Sequence, residues 1–181
     1  MYWLQNRRGK ETERIVVRRY YWLFLLFIFT LVTDQLAKTA VDTLYVLHES
    51  RSILGSYLQL TYIRNSGAAF GILVGNPKIM FVVTVLVTLV LAFLFFKGTV
   101  RPAHALGKAA VVLVLGGATG NLIDRIRFGE VIDFIDMGIG YHRWPVYNLA
   151  DIYVTVGMVI LFFTYTPKTD TPGEPKHLSL D

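Results

Sequence analysis

The chain has 181 residues, of which 54% are hydrophobic and 17% are charged; its formal net charge is +5 and its mean hydropathy is +0.47. Because soluble domains carry about 25% charged residues, this composition excludes a disordered chain, a coiled coil and a fibrous repeat, and it argues against a water-soluble enzyme. The chain has no cysteine and its four histidines are scattered, so disulfides, thiol nucleophiles and iron–sulfur clusters are excluded, and we expect neither a metal nor a cofactor.

Four apolar runs dominate the sequence, and each is about as long as the roughly 20 residues needed to cross a bilayer. They occupy residues 20–37, 79–96, 107–123 and 148–165. Each run is apolar on all sides, whereas a helix of a soluble bundle keeps a polar face. The runs therefore predict an all-α membrane protein with four transmembrane helices, in one membrane domain over residues 20–165.

The first run follows basic residues, as the apolar part of a signal peptide does. It is followed by Asp34 and Lys38, however, and not by the small residues of a cleavage site. We therefore predict that this run is a retained membrane span. Residues 1–19 are then a basic arm, and residues 166–181, which are polar and contain prolines, are a loose tail.

Lysine and arginine are distributed unevenly around the four runs. Eleven of them lie in residues 1–19, 97–108 and 166–181, and seven lie in the two remaining connections. Because the cytoplasmic side of a membrane protein carries the excess of basic residues, both termini are predicted to be cytoplasmic. The positive charge is thereby explained by membrane orientation, and no nucleic-acid partner is expected.

The longest external segment joins the first two runs. It contains a predicted strand over Tyr57–Ile63, followed by a break at Asn65–Gly67, where Gly67 would let the backbone approach a ligand closely. Ser66 in this break, activated by Lys38, would be a nucleophilic Ser–Lys pair. The serine lacks the G-x-S-x-G context of a serine hydrolase, so we do not favour this alternative.

Four carboxyl groups lie at the external ends of the predicted spans or in the connection beside them. Charged groups within a membrane are costly, so each one needs a physical reason. One aspartate alone is explained well enough as a solvated helix-end residue, but four at the same membrane face indicate a site. They are Asp34, Asp124, Asp133 and Asp151.

Sequence spacing suggests cationic partners for two of these carboxyl groups. Asp34 and Lys38 are four residues apart on one helix face, so we predict a structural ion pair between them. Asp124 is followed closely by Arg125 and Arg127, and we expect it to pair with one of these arginines.

Asparagines precede the other helix-end positions at a matching distance. Asn121 lies three residues before Asp124, and Asn148 lies three residues before Asp151. Each asparagine places an amide donor one turn from a carboxylate, where it can hold the carboxylate or bind a substrate.

Two carboxyl groups held close together cannot both ionise readily, so one keeps a proton while the other acts as a base. Two such pairs remain open. The apolar neighbours of Asp133 favour a raised pKa and hence the pair Asp133 with Asp151. The symmetry of the two N-x-x-D motifs favours Asp124 with Asp151.

Five motifs, spread in order over about residues 20–165, make the chain resemble the bacterial lipoprotein signal peptidases, also called signal peptidase II. They are D-Q-L-A-K at 34–38, R-N-S-G-A-A-F-G at 64–71, G-G-A-T-G-N-L-I-D-R at 116–125, V-I-D-F at 131–134 and Y-N-L-A-D at 147–151. Tyr147 stands where the family usually has phenylalanine.

The resemblance implies an intramembrane aspartyl protease of the bacterial inner membrane, acting as a monomer with its active site near the external face. Its substrates would be diacylglyceryl-modified prolipoproteins, which are surrounded by membrane lipid and are cut just before the lipidated cysteine. The V-x-D-F and N-x-A-D motifs of the family place the catalytic aspartates at Asp133 and Asp151, with Asp124 in a supporting role.

The resemblance also implies roles for the remaining polar residues. Those that would bind substrate or orient the aspartates are Asn65, Asn121, Arg125 and Asn148. Asp34 and Lys38 would brace the fold. A small external β-cradle would form from residues 40–70, between the first two spans, and a mobile flap would lie between the third and fourth spans.

A small proton-coupled membrane transporter is the alternative function, because carboxyl groups in membranes often relay protons. A transporter needs polar residues along the full depth of its spans. The second run offers only two threonines, and the cytoplasmic halves of the runs are almost wholly apolar. The sequence therefore favours the protease.

Overall fold

A computed structural model describes residues 2–67, 77–96 and 105–164 of the chain. The predicted tail at 166–181 lies outside these residues. The helices are α1 (Tyr2–Leu44), α2 (Pro77–Phe96), α3 (Ala105–Phe128) and α4 (Leu149–Thr164), and the strands are β1 (Ser50–Leu54), β2 (Leu58–Asn65), β3 (Val131–Ile139) and β4 (His142–Arg143).

Each of the four apolar runs coincides with one helix, but the helix bounds differ from the predicted ones. Helix α1 has 43 residues, so it includes the predicted arm from Tyr2 onward and continues past Asp34 to Leu44. Within the described ranges, two helical stretches are long and apolar enough to cross a membrane, Tyr21–Leu44 and Ala105–Phe128. Helix α4 is shorter, with 16 residues.

The four strands form one antiparallel sheet in the order β1-β2-β3-β4. The predicted strand is β2, which continues to Asn65. The strands β1 and β2 come from the 40–70 region where the cradle was expected, and β3 and β4, which follow α3, complete the sheet. They occupy the connection in which a flap was expected. The reason is that Val131–Phe134 is buried and pairs with β2, with Ile63 opposite Asp133.

Glycines in α3 let two other helices approach closely. A side chain at Gly116 or Gly120 would collide with α1, where Thr30 and the Asp34 carboxylate lie against these glycines. A side chain at Gly117 would collide with the Ala150 carbonyl of α4. These contacts bring α1, α3 and the start of α4 together at one level.

A small apolar core joins the end of α1 to the sheet. It consists of Val41, Tyr62, Ile132 and Phe134, all of which are buried. Because successive side chains of a strand point to opposite faces, Asp133 projects away from this core. It projects toward the start of α4, where Asn148 contacts it.

Candidate active site

Asp133 lies in the middle of the buried part of β3, and its side chain is 2% exposed. Two amides hold it: Asn65 Nδ2 donates to Oδ2 at 2.7 Å, and Asn148 Nδ2 donates to Oδ1 at 2.7 Å. Burial, and next the negative charge of Asp151, raise the pKa of Asp133 to about 7, although both amide hydrogen bonds act in the opposite direction. This carboxyl group can therefore hold a proton near neutral pH.

Asp151 lies in the first turn of α4 and is tied to the residue that caps that helix. The Asn148 side-chain oxygen accepts from Asp151 N at 3.0 Å, and Asn148 N donates to Asp151 Oδ2 at 3.2 Å. This reciprocal pair is a capping box, which fixes both the helix start and the carboxylate. Asn121 Nδ2 donates to the other carboxylate oxygen at 2.8 Å.

Asn148 therefore connects the two carboxyl groups. Its side-chain amide binds Asp133, and its backbone binds Asp151. Asn121 supports this arrangement from α3, because its side-chain oxygen accepts from Asn148 Nδ2 at 3.1 Å and from Lys38 Nζ at 2.9 Å. The Asn148 side chain thus caps α4 through its oxygen and contacts Asp133 through its nitrogen.

A second carboxyl cluster lies deeper, around a buried lysine. Lys38 Nζ is 2.9 Å from Asp34 Oδ2 and 2.9 Å from Asp124 Oδ2, and all three side chains are at most 2% exposed. The predicted Asp34–Lys38 ion pair is confirmed. The expectation that Asp124 pairs with Arg125 or Arg127 is wrong, because Lys38 on α1 reaches it across the helix interface.

Further donors complete this cluster. Gln35 Nε2 lies 3.1 Å from Asp124 Oδ1 and 3.2 Å from Asp34 Oδ2. The backbone N–H of Ala150 donates to Asp34, and that of Ile132 donates to Asp124. The cluster thus fastens α1 and α3 to the start of α4 and to β3. Sequence reasoning missed Gln35, whose only signal was its place inside the D-Q-L-A-K motif.

A cavity of about 520 Å³ is lined by residues of one cluster and not of the other. Both Asp133 and Asp151 line it, together with Asn65, Gly67, Asn121 and Arg125, whereas Asp34, Lys38 and Asp124 do not. Further lining residues include Trp144, Pro145, Val146, Tyr147, Ile152 and Val154, of which only Tyr147 belongs to one of the five sequence motifs. The lining therefore combines polar and apolar side chains.

Arg125 adds a positively charged side chain to the cavity lining. Its Nη1 donates to the carbonyl of Asn121 at 3.3 Å, on its own helix. Across the residues that the structure describes, no group of three or more metal-ligating side chains has the arrangement of a metal site.

The geometry distinguishes the two N-x-x-D motifs. Asp151 faces the cavity beside Asp133, whereas Asp124 is neutralised by Lys38 outside it. Of the two pairs that the sequence left open, only Asp133 with Asp151 shares a cavity and a bridging residue.

Residues 26–166 match the family model described as signal peptidase (SPase) II. The chain belongs to the signal peptidase II family. The lipoprotein signal peptidase of Syntrophotalea carbinolica is 46% identical over 143 residues, covering 76% of this chain and 88% of the relative. That of Staphylococcus aureus strain Newman is 33% identical over 150 residues, covering 83% and 91%.

A solved structure agrees with this assignment. It is a bacterial membrane enzyme determined by the in meso method at 1.9 Å resolution, with a TM-score of 0.68 and 33% sequence identity. The match covers 81% of this chain and 94% of the solved one. As a member of the family, the chain is a protease that removes signal peptides from prolipoproteins.

Proposed function

We propose that this signal peptidase is an aspartyl protease in which Asp133 and Asp151 form the catalytic pair. The observation that carries the proposal is that these two carboxyl groups line one cavity and are bridged by Asn148. The raised pKa of Asp133 supports it, since a pair that shares one proton can act as base and acid together.

The reaction follows from this protonation state. The ionised member of the pair removes a proton from a water molecule, and the resulting hydroxide attacks the scissile carbonyl. The protonated member donates a hydrogen bond to the carbonyl oxygen, where negative charge develops. The tetrahedral intermediate then collapses, the carbon–nitrogen bond breaks, and the leaving nitrogen takes the proton that the ionised member had removed from water. Arg125 binds the substrate backbone, to which Gly67 gives close access, and the amides of Asn65 and Asn121 orient the two carboxyl groups. Asp34, Lys38 and Asp124 brace the helices.

The substrate proposed is a diacylglyceryl-modified prolipoprotein, cut just before the lipidated cysteine. Each methylene buried in the bilayer contributes about 0.8 kcal/mol, so the lipid chains remain in the membrane and the substrate enters sideways between helices. The apolar side chains that line the cavity, among them Trp144, Val146 and Ile152, suit a substrate whose lipid chains remain in the membrane. A single chain supplies every group of the site, so a monomer suffices.

The test is cleavage of a lipid-modified precursor by purified protein in detergent. Asp133→Asn and Asp151→Asn should each lower turnover at least about a thousandfold, because members of a catalytic unit cannot substitute for one another. Asp136→Asn is the matched control: Asp136 lies on the same strand but pairs with Arg143, so this variant should keep most activity per folded molecule. Near-normal turnover in either catalytic variant would contradict the proposal.

We further propose that four helices span the bacterial inner membrane, with both termini in the cytoplasm and the catalytic pair near the external face. The uneven distribution of basic residues supports this orientation. Reporters fused at the N-terminus and within 97–108 should read as cytoplasmic, and reporters near Arg51 and His142 as external. An external reading within 97–108 would reverse the orientation and place the site on the cytoplasmic side.

A further inference from the structure

Arg64 lies on the strand β2 directly before Asn65 and connects three elements. Its Nη2 donates to Asp42 Oδ1, near the end of α1, at 2.6 Å, and its Nε donates to the Tyr62 hydroxyl at 2.6 Å. The guanidinium carbon is 4.2 Å from the centre of the Phe128 ring, at the end of α3. The Tyr62 hydroxyl also donates to Asp42, which closes the group.

Arg64 and Asn65 point to opposite faces of the sheet, because they are neighbours on one strand. Asn65 faces the cavity and donates to Asp133, while its own side-chain oxygen accepts from Gly67 N at 2.9 Å. Arg64 is not among the residues that line the cavity. Whatever Arg64 does for the reaction must therefore pass through the backbone that it shares with Asn65.

We propose that Arg64 is a positioning residue for the catalytic pair: it fastens the end of β2 to the ends of α1 and α3, and so holds the Asn65 amide on Asp133. The inference rests on the proposed function, since it concerns the same aspartate. The end of β2 needs such an anchor because it is the last part of that strand, with Asn65 paired opposite Val131 at the start of β3.

The chemistry of the contact requires arginine. A guanidinium offers several donors in a fixed plane, so it can reach Asp42 and Tyr62 with two of them while its face lies on Phe128. A lysine ammonium is a point charge and cannot make these three contacts with one geometry. The ring of Phe128 is also contacted by Arg127, whose guanidinium carbon is 4.8 Å from the ring centre.

Stability alone does not account for this arrangement. The Arg64 and Asp42 side chains are 20% and 34% exposed, and ion pairs open to water contribute little to the free energy of unfolding. Position matters far more, since a misplacement of 1 Å at an active site can lower the rate about a hundredfold. Loss of this clamp, which Arg64 forms with Asp42, Tyr62 and Phe128, is therefore expected to lower turnover more than the melting temperature.

A double-mutant cycle between Arg64 and Asn65 tests the inference, with kcat for a lipid-modified precursor as the readout. Asn65→Ala should lower kcat about tenfold, as expected for one hydrogen bond to a charged group. Arg64→Ala should lower it about fivefold in the wild-type background, with KM changed less than twofold, and should have no further effect in the Asn65→Ala background.

Arg51→Ala is the matched control. Arg51 also pairs with a carboxylate and lies over an aromatic ring, with Glu49 and Tyr45 as its partners, but it is on β1. This variant should leave kcat unchanged. Should Arg64→Ala fail to fold in detergent, Asp42→Asn removes the charge at the other end of the clamp with little change of shape, and the same cycle is run with it.

Three results would overturn the inference: an equal loss of kcat in both backgrounds, no loss in the wild-type background, or an Asn65→Ala variant without measurable cleavage. The last would mean that Asn65 does more than orient Asp133, which Asn148 still holds. None of these results bears on whether Asp133→Asn abolishes cleavage, so the inference and the proposed function fail separately.

Discussion

The two carboxyl clusters of this protein use the same residue type, yet their partners differ. Asp34 and Asp124 share the ammonium of Lys38, and none of the three lines the cavity. Asp133 and Asp151 are held by amides and backbone N–H groups, and both line the cavity. The first cluster contains a buried cation that pairs with both carboxylates. The direct hydrogen-bond donors to the second cluster are neutral, although Arg125 lines the same cavity.

This difference decides what each cluster can do. A buried lysine between two aspartates forms an ion pair with each and so joins the helices that carry them. Neutral amides orient a carboxyl group without fixing its charge to the same degree, so burial and the neighbouring carboxylate can leave one proton on the pair. We therefore propose that the lysine-centred cluster stabilises the fold and that the amide-held cluster carries out catalysis.

Removal of the Lys38 ammonium should disrupt the first cluster and have the largest effect on stability of the changes considered. Lys38→Met leaves two buried carboxylates without compensation, and we expect the free energy of unfolding to fall by about 3–5 kcal/mol. Thermal melting in detergent measures this. Arg51→Met, which removes a cation from an exposed pair, should cost less than about 1 kcal/mol. A Lys38→Met protein that melts normally but does not cleave would instead place Lys38 with the catalytic pair.

The asymmetry between the clusters was only partly predictable from the sequence. The Asp34–Lys38 pair follows from a spacing of four residues on one helix, and the apolar neighbours of Asp133 correctly indicated a raised pKa. The contact between Lys38 and Asp124 joins residues on different helices, and it depends on glycines that let α1 and α3 approach closely. No local pattern reports such a contact, so the adjacent arginines were the wrong choice.

The same limit applies to the sheet. Strand β2 was evident from its composition, but its partner β3 begins after two further helices. Local composition cannot reveal which strand pairs with which, and the flap expected after α3 rested on the family resemblance alone. Asp133 and Asp151, which the family resemblance implies as the catalytic pair, line one cavity, but the resemblance did not indicate that Asn148 both caps α4 and bridges the carboxyl groups.

The protonation of the second cluster should be visible in the pH dependence of cleavage. With the pKa of Asp133 raised to about 7 by burial and by Asp151, the shared proton is present below that pH and is lost above it. The value of kcat/KM should therefore fall as the pH rises through about 7.

A variant that changes the hydrogen bonding of Asp133 sharpens this prediction. The bond from Asn65 favours the ionised form and lowers the pKa of Asp133, so Asn65→Ala should move the alkaline limb to higher pH. Asp124→Asn, which changes the other cluster, should leave the limb in place. A limb that moves to lower pH in Asn65→Ala would contradict the assignment of this titration to Asp133.

The most direct test of the distinction between the clusters is a side-by-side comparison of Asp124→Asn and Asp133→Asn, with melting temperature and turnover per folded molecule measured on both. The account predicts that Asp124→Asn loses about 1–3 kcal/mol of stability but keeps turnover within about threefold. Asp133→Asn should melt close to the wild type and lose turnover at least about a thousandfold. The reverse pattern, with Asp124→Asn stable but inactive and Asp133→Asn active, would show that the wrong cluster has been assigned to catalysis.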